Sequence, residues 1–240
     1  MTGQNPAESV AVVLVHGAWA DGSSWSGVLA RLLAAGVDAR AVQLPLSSLD
    51  DDVAAVRRSL QGVGRAVLVG HSYGGAVITA ASAGSSQVNG LVYVSAFVPD
   101  AGESVWDLMS QGPETPGAAA GRPTEDGWLW FDRALFPDIF AGDVDSETAR
   151  VMAAVQGPLA IGCLQQPLAA AGWRELPSWY VRSTADQVIH PDAQARMASR
   201  AGADVLDIDG SHATLVSRPD EVATAISAAL GRLAVSTAAR

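Results

Sequence analysis

Residues 66–76 constrain the fold most tightly. There the apolar run Ala66-Val67-Leu68-Val69 passes directly into Gly70-His71-Ser72-Tyr73-Gly74-Gly75. The run reads as a buried strand, and the stretch after it as a helix opening at Tyr73. A strand that turns at once into a helix crowds the residue at the turn. Glycines two residues to either side relieve the crowding, and the serine between them is held in a strained conformation that thrusts its hydroxyl outward. Ser72 is therefore the candidate nucleophile. It stands at a helix N-terminus, whose free N–H groups favour negative charge. The competing account is a glycine-rich helix start with a capping serine.

Around this turn, β-branched runs alternate with longer helix-like segments, the pattern of a parallel sheet covered on both faces. Strands are expected at Ala11–Val15, Asp38–Gln43, Ala66–Val69, Gly90–Val94, Ser178–Arg182 and Asp204–Ile208. Helices are expected at Ser24–Ala35, Leu49–Leu60, Tyr73–Ala83, Pro191–Ala201 and Pro219–Leu233, the second opening on Asp50, Asp51 and Asp52, which suit the positive end of a helix dipole. The expected fold class is α/β, one domain over residues 1–240 with a six-stranded, mostly parallel sheet and a helical cap or lid inserted at about residues 97–177.

That insertion holds all four phenylalanines and four of the seven tryptophans, Trp106, Trp128, Trp130 and Trp173. One account is a small core of its own. The other is a lid that excludes water and lines an apolar pocket, since loops at the carboxyl ends of such strands usually bind ligand. Trp19, Trp128, Trp130 and Phe131 are the candidate pocket residues. Gly112, Pro113, Pro116, Gly117, Gly121 and Pro123 point to a mobile first half.

Absences exclude whole classes of chemistry. All 15 basic residues are arginine, so no lysine is available for a Walker-type phosphate loop, a Schiff base or a pyridoxal-phosphate anchor. The single cysteine, Cys163, removes intrachain disulfides and Cys-rich zinc sites. No His-x-x-x-His pair occurs among His16, His71, His190 and His212, so no metal is expected. A formal net charge of −10 without a basic run argues against nucleic-acid partners. Met1–Ser9 is polar, reads as a disordered tail and does not resemble a secretory signal. No stretch reaches the roughly 18 apolar residues that cross a bilayer. The expectation is a cytoplasmic monomer or homodimer that meets a small molecule, not a membrane.

A neutral serine needs a general base. His212, in Asp209-Gly210-Ser211-His212-Ala213 just past the last strand, would project from the same sheet edge as Ser72. His71 sits on the tight turn and reads as structural, and His190, before Pro191, reads as a cap. The carboxylate that orients the imidazole is expected to be Asp186, where a strand runs into a loop, with Asp192 as the main rival and Asp207 and Asp209 as strand-end surface residues. The order Ser, acid, His is one that hydrolases use. For the oxyanion, one donor is the N–H of Tyr73, directly after the nucleophile. The other is the N–H of Ala18 in His16-Gly17-Ala18-Trp19, where Gly17 admits a close backbone approach.

With these motifs the chain resembles the α/β-hydrolase superfamily. Val15-His16-Gly17-Ala18-Trp19 and Gly70-His71-Ser72-Tyr73-Gly74-Gly75 look like the small bacterial and plant group that includes methyl-ester esterases and hydroxynitrile lyases. The likeness runs from Val10 to about Leu230 and is weakest in the insertion. It implies a six-stranded parallel core, a helical cap, a triad of Ser72, Asp186 and His212, oxyanion donors at Ala18 and Tyr73, no cofactor, and action on esters, thioesters, amides or cyanohydrins. Hydroxynitrile lyases of this fold place a lysine directly after the histidine and a threonine near the position of Gly17. Here Ala213 follows His212, so hydrolysis of a small apolar carboxylic ester is the expectation. A lyase or cyclase using the same groups as acid and base, and a small-ligand sensor on the same fold, are the alternatives.

Overall fold

The strand Val10–Val15 (β1) is apolar on both faces, so it must be covered on both sides. The computed structural model describes residues 10–238, with side chains to residue 235, and meets that demand; the expectation for Met1–Ser9 lies outside the described residues. The strands are Ala39–Val42 (β2), Arg65–His71 (β3), Val88–Val94 (β4), Gly121–Pro123 (β5), Trp128–Phe131 (β6), Leu159–Ala160 (β7), Ser178–Ser183 (β8) and Asp204–Ile208 (β9). The main sheet has six strands in the order β2-β1-β3-β4-β8-β9, and every pairing in it is parallel. All six expected strands are present, with ends displaced by at most two residues.

The helices are Ser26–Ala34 (α1), Leu49–Ser59 (α2), Tyr73–Ser82 (α3), Val105–Ser110 (α4), Pro116–Ala119 (α5), Phe136–Ile139 (α6), Ser146–Val155 (α7), Ile161–Gln165 (α8), Pro191–Arg200 (α9), Thr214–Ser217 (α10) and Pro219–Ala238 (α11). The first expected helix splits into a 3-10 turn at Gly22–Trp25, capped by Asp21, and then α1. Successive strand residues feed opposite cores. Val12, Leu14, Val67, Val69 and Val92 pack with Trp25, Val28 and Ile226, on the side of α1 and α11. Val13, Val15, Leu68, Leu91 and Tyr93 pack with Val56, Ile78 and Met197, on the side of α2, α3 and α9. Each interior Val or Leu contributes about 1.5–3 kcal/mol of burial.

The residues between β4 and β8 correct the helical expectation. They carry the short helices α4 to α8, but also an antiparallel sheet in the order β5-β6-β7. The reason is local: Trp128-Leu129-Trp130-Phe131 is a run of strand-forming residues, and Gly127 (φ 87°) supplies the turn before it. The glycine- and proline-rich first half is tied down, because Gly117 N–H donates to Gln187 O (2.9 Å) and Thr115 Oγ1 to Val188 O (3.0 Å). Among the described residues no helix is long and apolar enough to cross a membrane.

Candidate active site

Ser72 joins β3 to α3 with φ 53° and ψ −122°, a left-handed conformation that costs a residue with a Cβ about 1–3 kcal/mol. Sterics hold it there. A Cβ on Gly70 would lie 2.6 Å from Gly74 O, and one on Gly74 would lie 2.6 Å from both Val15 O and His16 O. Only glycine lets β1, the turn and α3 approach so closely.

The loop after β1 lies against the same turn, since a Cβ on Gly17 would come within 2.7 Å of Ser72 Cβ. His16 fixes this loop. Its Nε2 accepts from Leu44 N–H (2.9 Å), so Nδ1 carries the proton and donates to Gly17 O (2.8 Å). Burial lowers its pKa, which keeps it neutral. Ala18, Trp19, Ser72 and Tyr73 all line one cavity of about 400 Å³. The first N–H groups of a helix have no partner within it, and Tyr73 N–H, the expected donor, stands at the head of α3.

The expected base and acid are built differently. Asp186 follows β8 and accepts four hydrogen bonds: Val188 N–H (2.7 Å) and Ile189 N–H (3.0 Å) at Oδ1, Gln194 Nε2 (2.8 Å) and His212 Nδ1 (2.8 Å) at Oδ2. A carboxylate only accepts, so the His212 proton sits on Nδ1, and Nε2 is left with its lone pair. His212 is fully buried, its ring packed edge-on against Phe140 (4.7 Å) and beside His71 (4.8 Å). Its Nε2 has no hydrogen-bond partner, so no hydrogen bond joins it to Ser72 Oγ. The two residues are linked through His71, the chain neighbour of Ser72, whose Nε2–H donates to the His212 carbonyl (2.9 Å). Burial holds the His71 pKa well below its ordinary value. His71 therefore acts as a neutral strut between the serine turn and the histidine loop.

The rival groups are engaged elsewhere. His190 caps α9 by accepting from Asp192 N–H (3.2 Å), and the Asp192 carboxylate is exposed beside it. Asp207 pairs with Arg182, which lowers its pKa, and Asp209 is exposed. Among the described residues no group of three or more His, Cys, Asp or Glu side chains is placed to hold a metal ion.

Of the four expected pocket residues, Trp19 lines the cavity and Trp128, Trp130 and Phe131 do not. Side chains alternate along β6, so Leu129 faces the cavity while its tryptophan neighbours face away. Phe131 is buried behind Trp19, with the rings edge to face at 5.2 Å. The remaining walls include Phe97, Trp106, Met109, Ile161 and Leu164, and among the described residues no lining side chain is charged.

Two supporting residues carried only a faint sequence signal. Asp52, expected to complement a helix dipole, is buried, accepting from Leu46 N–H (2.8 Å) and Tyr73 Oη–H (2.7 Å). Burial pushes its carboxyl up to about 6, against the pull of those two hydrogen bonds. Gln194 is likewise fully buried, donating to Asp186 and to Ile189 O (2.9 Å) while accepting from Ser183 N–H (3.2 Å). The signal in each case is a polar residue inside an apolar stripe, Leu49-Asp52-Val53-Val56 in α2 and Gln194-Met197-Ala198 in α9.

Comparison with known proteins identifies the fold and the family. The Alpha/beta hydrolase nvfD of Aspergillus novofumigatus is 28% identical over 243 residues, covering 92% of this chain and 96% of its own. The pyrethroid hydrolase of Sphingobium faniae JZ-2 superposes with a TM-score of 0.80 at 23% identity, over 91% of this chain and 96% of that one. Polyneuridine aldehyde esterase does so with a TM-score of 0.77 at 17% identity, over 90% and 97%. At those identities the two structures establish a shared fold. Residues 12–225 match the Alpha/beta hydrolase family, and the chain belongs to it.

Proposed function

We propose that the protein is a serine hydrolase that cleaves small, apolar carboxylic esters through an acyl-enzyme on Ser72. The observation that carries this reading is the strained Ser72 at the head of α3, opening on an uncharged cavity, with a buried His212–Asp186 pair tied to the serine turn through His71. His212 Nε2 takes the Ser72 proton as Oγ attacks the ester carbonyl. The N–H groups of Ala18 and Tyr73 receive the oxyanion, each worth about a hundred- to a thousand-fold in rate. Collapse expels the alcohol, which His212 protonates; water, deprotonated by the same nitrogen, then releases the acid. Catalytic hydrogen bonds in a free enzyme are often long and tighten with substrate, and the unpartnered Nε2 fits that behaviour.

The uncharged lining supports an apolar substrate, because an ionised group entering it would lose hydration without a partner, at several kcal/mol. In this reading residues 97–177 act as the lid. The same unpartnered Nε2 also suits a lyase or cyclase, in which His212 moves protons without an acyl-enzyme. Hydrolysis of p-nitrophenyl acetate, butyrate and octanoate separates the readings. Turnover with a burst that vanishes in Ser72→Ala supports the esterase; turnover equal in wild type and Ser72→Ala removes it.

A further inference from the structure

Trp19 follows the expected oxyanion donor and is held unusually firmly. Its backbone has φ 57°, a conformation seldom adopted by a bulky residue. The indole Nε1–H donates to Leu129 O (2.9 Å) in β6, and the ring meets Phe131 edge to face. A first wall of the Ser72 cavity is thus pinned to the insertion sheet.

Behind that wall lies a second cavity, of about 370 Å³ against about 400 Å³ for the first. It opens to solvent and is lined by Phe136, Phe140, Met152 and the exposed Val151 and Val155, with serines 23, 24 and 26 also in its wall. Among the described residues Trp19 alone lines both cavities. We propose that Trp19 is a specificity-determining partition: its indole ends the space available to one arm of the ester, and removing it joins a second apolar chamber to the first. The inference rests on the reading of Ser72 as nucleophile. It assigns the wild type to short-armed, uncharged esters and a Trp19-truncated variant to long-armed ones.

A buried methylene is worth roughly fourfold in binding, so a long chain gains once it has room. The test compares kcat/KM for p-nitrophenyl butyrate, octanoate and decanoate, and for phenyl acetate against 4-phenylbutyl acetate, in wild type, Trp19→Ala, Trp19→Phe and Trp19→Ala/Val151→Trp. In Trp19→Ala the long-to-short ratio is expected to rise tenfold or more in one of the two series. Trp19→Phe, which lacks the N–H but keeps a ring, should give a smaller rise. Refilling the second chamber with Val151→Trp should cancel it. Val151→Trp alone should leave the wild-type profile unchanged, since Trp19 already closes the Ser72 cavity on that side; a changed profile would show that substrate enters the second cavity in the wild type and would overturn the partition. So would an unchanged ratio in both series for Trp19→Ala and Trp19→Phe. Because ratios are read, a general loss of rate beside Ala18 does not mimic the effect, and Trp19→Phe keeps the test open should Trp19→Ala fold poorly. Turnover that survives Ser72→Ala would instead defeat the nucleophile reading and leave the partition to be judged by the ratios.

Discussion

The serine half and the histidine half of the site are held by different forces. Ser72 is fixed by backbone sterics, with Gly70 and Gly74 allowing contacts that no Cβ would permit. Asp186 and His212 are fixed by hydrogen bonds: Asp186 by the nearby N–H groups of Val188 and Ile189 and by Gln194, and His212 by Asp186 and, from the distant serine turn, by His71. A steric scaffold fails all at once, whereas a hydrogen-bonded one degrades in steps. Substitutions should therefore separate the two halves.

The largest effect on rate is expected at the hydrogen-bonded half. Asp186→Asn keeps the shape but presents an amide to His212 Nδ1, favouring the wrong tautomer, and kcat should fall on the order of 10⁴-fold with the fold intact by circular dichroism. At the steric half, Gly74→Ala drives a Cβ into the backbone of β1. Overpacking of about 3 kcal/mol lowers Tm by roughly 10 °C, and activity is lost with the fold. A thermal scan showing an unchanged Tm would break the comparison at this point.

Gln194→Met sharpens it. The substitution removes a donor from the same Asp186 oxygen that holds His212, which leaves that oxygen more attractive to an imidazolium. A roughly tenfold drop in kcat/KM is expected, together with movement of the acidic limb of its pH profile to higher pH. A purely structural role would lower the rate without moving the limb.

The smallest effect concerns Asp52, which anchors Tyr73 and the chain at Leu46. Its carboxyl is raised from 3.8 to about 6, so the folded state binds the proton more tightly than the unfolded one. The stability this contributes is complete below about pH 4 and is lost as pH rises through 6. Asp52→Asn lacks that loss, so Tm of the variant minus Tm of the wild type should climb by a few degrees between pH 4 and pH 7. A flat difference would show that Asp52 does not titrate in this window.

The same division governs what the sequence revealed. The strand-to-helix turn at Ser72 was legible because its cause is local: glycines at fixed offsets and an apolar run beside them. The six parallel strands were legible for the same reason, through runs of Val, Leu and Ile. That His212 and Asp186 come together followed from chain order and strand ends. The roles of Gln194 and Asp52 were not legible, because a polar residue in a buried helical stripe discloses its partner only once α9 meets the loop after β8, or α2 meets α3. The insertion misled most. Its aromatic content was plain, but whether Trp128 or Leu129 faces the cavity depends on the pairing of β5, β6 and β7, and a shift of one residue exchanges the two faces.

The central claim, an acyl-enzyme on Ser72, is tested most directly by acid-quenching the protein during turnover of p-nitrophenyl butyrate and measuring intact mass, then mapping the modified peptide. A gain of one butyryl group confined to Ser72, and absent in Ser72→Ala, is the expected result. Steady release of p-nitrophenol by an enzyme that never gains that mass, or gains it at another residue, would contradict the account.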